Sequence, residues 1–508
     1  MNAKLKTDGA RFFRRLIARM GAIAFVCSPG MVEAQEQAAP PTEHAKFIAE
    51  MLDRASAAVK QIADPAQRAV GWLDLAAVQA RAGEREAARA SIQEALRAVG
   101  TLGDLSRKDD ESLLAAVAIR QAEIGDIAGA QKTIGTISEQ RFRDFARAQV
   151  VEALLSRSDH KQAVAVCRSI ESELIRQVNL SAVAESLAAD RKLDAALSLA
   201  KELKQTSFHA TTLVLIALAR LEASDIEDAQ RVASTLDDPV VRTRTLYEIG
   251  KVQLAKGQAR GARQTFLQMR EHAKQAKSPN AAEWLIVMQA GLGELPQALA
   301  ALDALDDPAQ RLAIAKQLIL SLAENGRLAD AVGLVPRIKD DEERDYTLSD
   351  LAIYQAKGGD VAGALRTANS LVFPYSRCKA FREIAKVQSA GGDHAGAKAS
   401  LAEALEAAAK IPIGGGTDVI AIREVAAAWA AIGDAETARQ VFQRALKAAQ
   451  AYPDVAYRGQ LAGEIAKAEA AAGLSRAAAF WAAKLDSPEE RVAAWLGLID
   501  GLLTSDKK

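Results

Sequence analysis

Five histidines, His44, His160, His209, His272 and His394, are the side chains most able to hold a metal or carry a proton. They are scattered through the chain without metal-ligand spacing, and neither an HExxH helix nor a CxxC pair occurs. The acidic run Asp340-Asp341-Glu342-Glu343 contains carboxylates for a general acid and base. Adjacent carboxylates do not face each other across a cleft, and at a helix start they favour the dipole instead. Gly414-Gly415-Gly416 has the composition of a phosphate cradle, but no Gly-Lys-Ser/Thr follows, so it reads as a loop. With no GxSxG elbow and no dinucleotide-binding glycine pattern either, the expectation is no catalytic residue, no cofactor and no metal.

The elements that would position any site come from a repeat. A Gly or another turn former stands five residues before an Ala, as in Gly83 to Ala88, Gly125 to Ala130, Gly326 to Ala331 and Gly392 to Ala397. Twelve such steps occur, most of them 32–36 residues apart; the fourth is read as Asp190 to Ala195. A bulky apolar residue precedes the turn by eight positions, for example Leu75, Val117, Ile249 and Ile384, and a small one usually follows it. Ala182 is the exception, in the fourth repeat. Large and small side chains in alternation let helices interlock, and the apolar spacing is helical. Gly suits the left-handed residue that ends a helix, whereas Asp or Ser at the turn offers a cap for the next one. Asp64-Pro65, Asp238-Pro239, Asp307-Pro308 and Ser487-Pro488 mark helix starts. Arg recurs fifteen residues before the turn at Arg68, Arg143, Arg242, Arg311, Arg344, Arg377 and Arg458, which predicts a structural role repeated in each unit.

A helix–turn–helix unit with a bulky–small pair and a Gly-to-Ala step resembles the tetratricopeptide repeat family. The resemblance covers about residues 64–486. It implies an all-α, right-handed α-solenoid of about twelve repeats over residues 43–505, with capping helices around Glu43–Lys60 and Glu489–Leu503. It also implies a concave groove for a peptide. Its groove positions fall on Arg244, Tyr247, Lys251, Lys316, Tyr346, Lys379, Arg382, Lys386, Arg423 and Lys467, a mainly basic set that suits an acidic partner. In the first three repeats the same positions are apolar or small, including Val70, Leu73, Ala115, Ile119 and Phe145.

The first residues read as an address. Lys4, Lys6, Arg11, Arg14, Arg15 and Arg19 precede the apolar run Met20–Val26, and Ala34 offers a cleavage site. Residues 1–34 are therefore expected to be a signal peptide and 35–42 a flexible tether, with the product exported to the periplasm. Arg14-Arg15 loosely resembles a twin-arginine signal, and Cys27 sits in a poor lipobox. Cleavage would leave 59 basic against 63 acidic residues, which lacks the basic excess of many nucleic-acid binders. No run after it is long enough to span a membrane. Cys167 and Cys378 fall in repeats three and ten, too far apart for a disulfide unless the array folds back on itself.

These features imply an exported, noncatalytic scaffold that binds a protein or peptide. One alternative is an accessory or sensor subunit of a polysaccharide or peptidoglycan machine, with an envelope glycan as its ligand. The other is an α/α-toroid enzyme with carboxylates converging on its centre.

Overall fold

The computed structural model describes residues 43–102, 108–203, 206–276, 278–412 and 416–505. The expected signal peptide and tether lie outside them. The described residues form 26 α-helices and one 3-10 turn, with no strand among them. We number the helices α1–α26 in chain order. After α1 (Glu43–Gln61), each even-numbered helix opens a repeat and the odd-numbered helix behind it closes that repeat.

Each pair is a tetratricopeptide-like helix–turn–helix unit, and the residue at its turn explains why it folds so. Nine of the twelve turns carry a glycine at positive φ, such as Gly83 at 84° and Gly359 at 91°. The other three carry Ser158, Arg191 and Ser224 at φ 54–64°, where a side chain is tolerated at a cost. The turn itself does not supply the cap. The next residue does: Asp159 accepts from the Gln162 N–H at 3.1 Å and Asp225 from the Asp228 N–H at 3.2 Å. Arg191, not Asp190, is the left-handed residue of the fourth repeat, so that unit is shifted by one. Its buried apolar residue is then Val183 and its buried alanine Ala196, which removes the apparent exception at Ala182.

The shift also brings Arg176 into the recurring arginine position. Arg68, Arg143, Arg176, Arg242, Arg311, Arg344, Arg458 and Arg491 all donate to the carbonyl six residues back, for example Arg68 to Ile62 at 2.8 Å. Each arginine thereby satisfies a carbonyl left over where the preceding unit ends. Arg377 does the same for Asn369 at 3.1 Å. The expected helix starts are present too, with Asp64 accepting from Gln67 N–H at 2.8 Å and Asp307 from Ala309 N–H at 2.9 Å.

Within a repeat, a buried Gln four residues before the turn accepts from a hydroxyl on the second helix. Gln79 pairs with Ser91, Gln121 with Thr133, Gln253 with Thr265, Gln355 with Thr367 and Gln388 with Ser400, all at 2.7–2.8 Å. Ser400→Ala should strand the buried Gln388 oxygen and cost about 1–3 kcal/mol, whereas Ser400→Thr should cost little. Urea denaturation of the two variants checks this.

Consecutive first helices pack on one another all the way round, while second helices pack against first helices rather than each other. First helices therefore form an inner wall and second helices an outer one. The two terminal helices were expected to cap separate ends. They cover each other instead. The last helix, α26 (Pro488–Ser505), lies beside α24 (Val455–Ala471) and also beside α2 (Pro65–Arg81), in the place of a thirteenth first helix. Helix α1 packs on α26 as its second helix, so the two ends of the chain build one repeat between them and close the array into a ring. A single apolar cluster joins Met51, Ala55 and Val59 to Leu498, Ile499 and Leu502 across this seam. Arg491 donates to Gln61 at 2.7 Å, Arg54 stands 5.5 Å from the Trp495 ring centroid, and Arg81 meets Asp500 at 3.1 Å. Close approach at the seam depends on glycine: a Cβ on Gly497 would overlap the Gly463 carbonyl, and one on Gly501 the Lys467 carbonyl. Inner helices spaced about 9–10 Å apart set a ring on the order of 40 Å across.

Candidate interaction face

The solvent side of each first helix carries the residues 17, 13, 9, 6 and 2 positions before its turn, a helical spacing that points them into the ring. Nine of the ten residues picked from the sequence lie on or beside this stripe. Tyr247 is buried beneath it, 5.5 Å from the Lys251 ammonium, and burial, then Glu248, Glu283 and Glu324, push its hydroxyl pKa well up. Arg244 is exposed. Tyr346 is exposed beside Tyr375, its hydroxyl pKa raised first by desolvation and then by Glu342.

Apart from Arg244, the basic residues do not stand free. Lys251 meets Glu248 at 3.4 Å, Lys379 meets Asp350 at 2.7 Å, and Lys386 meets Glu383 at 2.7 Å. Arg382 pairs with Glu424, Lys316 with Glu343, and Arg423 with Glu464. Lys467 meets Asp500 at 2.7 Å, and Asp500 also holds Arg81 on the far side of the seam. Burial alone would raise the Glu383 carboxyl, yet Lys386 and Arg382 hold it below the usual carboxylate range. Most of these pairs join one repeat to the next, so charge on this arc is compensated within the protein. An acidic partner would have to displace those carboxylates.

Helices α6 (Gln140–Leu155), α8 (Glu173–Ala189) and α10 (Thr206–Glu222) present a different surface. Leu174 and Val178 are 60% and 50% exposed on α8, with Phe145, Leu215 and Leu218 half-buried on either side. At the other end of the same helices stand Glu152, Glu185 and Glu222. The groove positions carried over from the repeat pattern missed these three acids, although an acid six or two residues before the turn in three consecutive repeats is visible in the sequence. Burial, and then Glu123, raises the Glu152 pKa; burial, and then Glu222, raises that of Glu185.

Other carboxylates have structural work. Glu111, Asp144 and Asp345 are buried, and each accepts two backbone N–H bonds at the start of the next first helix. Asp340 caps its helix by accepting from Glu343 N–H at 2.9 Å. His160 is buried 3.1 Å from Ser186 Oγ, and His209 lies 2.9 Å from the Ala200 carbonyl. Among the described residues no three His, Cys, Asp or Glu side chains converge as a metal site would require. Residues 413–415 of the glycine loop lie outside the described residues, and the Gly416 N–H is taken by the Tyr452 hydroxyl at 3.0 Å. Cys167 and Cys378 are free and buried in separate clusters, their thiol pKa values pushed up by burial to about 12 and about 11. No helix among the described residues is long and apolar enough to cross a membrane.

No family model and no curated protein matches the sequence. Among solved structures the chain is similar to Ton1535 from Thermococcus onnurineus NA1, at 14% identity over 69% of this chain and 98% of that one, with a TM-score of 0.24. It is similar to the Naa15/Naa10 structure bound to HypK-THB, at 14% identity over 92% and 80%, with a TM-score of 0.28. It is also similar to a signal transduction ATPase with a tetratricopeptide repeat sensor from Pyrococcus horikoshii, at 10% identity over 74% and 62%, TM-score 0.24. At such scores the path of the whole chain rests on its own packing.

Proposed function

We propose that this protein is an exported, noncatalytic scaffold that holds a protein or peptide partner on the inner face of its ring. The observation that carries this reading is the stripe of solvent-facing side chains on thirteen inner helices, a continuous surface. Repeat arrays bind through many small contacts on such a surface. Export is supported by the basic and then apolar sequence before Ala34.

Photo-reactive residues placed one at a time at Val178 and Tyr346 on the inner wall, and at Val332 on the outer wall, test the reading in cells. Adducts to a partner are expected from the inner positions and not from Val332. Adducts from Val332 alone would overturn it. Recovered protein should begin at Gln35 and fractionate outside the cytoplasm.

A second reading, the α/α-toroid enzyme, takes support from closure of the ring. It requires carboxylates facing each other across a substrate. Glu123 beside Glu152, and likewise Glu222 beside Glu185, are neighbours at one edge of the wall, close enough to add to the upward shift that burial gives Glu152 and Glu185.

A further inference from the structure

The two arcs of the inner wall treat charge in opposite ways. From repeat eight round to the seam, cations and carboxylates are matched between neighbouring repeats. On α6, α8 and α10 the carboxylates of Glu152, Glu185 and Glu222 have no ion-pair or hydrogen-bond partner among the described residues. The arginines of those helices cannot serve them, because each is engaged elsewhere. Arg141 meets Glu139 at 2.5 Å, and Arg143 and Arg147 meet Glu171 at 3.1 Å. Arg176 is held by Glu173, and Arg220 by Asp225 and Asp228. Like charges left together beside apolar surface raise the free energy of the empty face, and a cation brought against them lowers it.

The same face exposes Leu174 and Val178 at 60% and 50%, more than Val70 at 45% or Tyr346 at 43% elsewhere on the inner stripe. From Leu174 to Glu185 is eleven residues along one helix, a distance of about 17 Å at 1.5 Å per residue. We propose that α6, α8 and α10 seat one cationic amphipathic helix of a partner protein, its apolar side on Leu174 and Val178 and its Lys or Arg side chains on Glu152, Glu185 and Glu222. This rests on the scaffold reading and assigns its partner the opposite charge from the one the basic groove residues suggest. Helix-in-groove docking of this kind uses anchors at helical spacing.

Two probe peptides test it with the full chain. Both are about 14 residues, roughly four helical turns, with leucines on one face; one carries lysines on the other face and its twin carries glutamates. Fluorescence anisotropy should show the lysine peptide binding at least about tenfold more tightly, a difference of about 1.4 kcal/mol. The triple variant E152Q/E185Q/E222Q should weaken it about tenfold, and L174S/V178S at least as much. All five side chains are on the surface, and circular dichroism verifies that both variants stay folded. Equal binding of the two peptides, or binding that neither variant weakens, would overturn the proposal. A dimer in sedimentation velocity that L174S/V178S disperses would overturn it too, because a second copy would then cover the face. In the photo-crosslinking experiment, adducts at Tyr346 without adducts at Val178 would refute this site and leave the scaffold reading standing. Adducts at neither would refute both.

Discussion

Gly497→Leu is expected to break the ring. Gly497 on α26 faces Gly463 on α24, and a Cβ there would overlap the Gly463 carbonyl oxygen, a backbone atom that cannot swing aside. The neighbouring Gly501 stands in the same relation to the Lys467 carbonyl, so the helix cannot slide along its partner to make room. Overpacking a tight core contact costs about 1–3 kcal/mol, and the upper end applies where backbone meets backbone. The seam has no redundancy to absorb this. With α26 displaced, Trp495, Leu498 and Ile499 leave the apolar cluster, and α1 loses the larger of the two surfaces it packs on. Small-angle scattering should show a larger radius of gyration and loss of the ring profile, with helix content falling only by the seam helices. Gly333→Ala, at a helical position with open space around it, is the control and should leave the profile unchanged.

Glu469→Gln is expected to stabilise the protein at alkaline pH and do almost nothing in acid. Glu469 is 1% exposed on α24, and its carboxylate accepts from Trp481 Nε1 at 2.7 Å. Burial raises its pKa to about 7 against the opposing pull of Trp481 and Arg439. A carboxyl whose pKa is raised on folding binds its proton more tightly in the folded state than in the unfolded one. The stability it confers is complete below the unfolded value near 4.5 and is lost as pH rises through about 7. The loss over that window is on the order of 3 kcal/mol. Glutamine keeps an oxygen for the Trp481 N–H and has no charge to bury, so the gain should reach that size near pH 8.5 and vanish near pH 4.5. Denaturant midpoints at the two pH values measure it. A gain of equal size at both would mean that packing, not ionisation, sets the effect.

The repeat was legible because its signals are local. A left-handed turn selects Gly, a helix start selects Asp before Pro, and both recur where the chain needs them, as at Gly83 and Asp307. The fourth repeat was misplaced by one residue because Arg191 occupies a conformation that non-glycine residues seldom adopt, so composition pointed to Asp190. Closure was not legible at all. Nothing local distinguishes a capping helix from one half of a shared repeat, since both need one apolar face, and the partner of Gln61 across the seam, Arg491, lies 430 residues away. The charge of the inner wall was half legible. Lys379, Arg382 and Lys386 do stand together, but besides Glu383 on their own helix they are neutralised by Asp350 and Glu424, 29 and 42 positions away on adjoining helices.

Sharing one repeat between the two ends also orders events in time. Helix α1 is made before the other described helices, and the larger of the two surfaces it packs on appears only when α26 emerges, some 430 residues later. At about 5–20 residues per second that interval is on the order of tens of seconds. Each intervening repeat can fold against the one before it, because its contacts are near in sequence. The seam alone requires closing a loop of the whole array, an entropic cost that grows only slowly with length. Helix α1, which packs on α2 as well as on α26, therefore waits with the part of its apolar face that α26 covers exposed while twelve repeats assemble behind it.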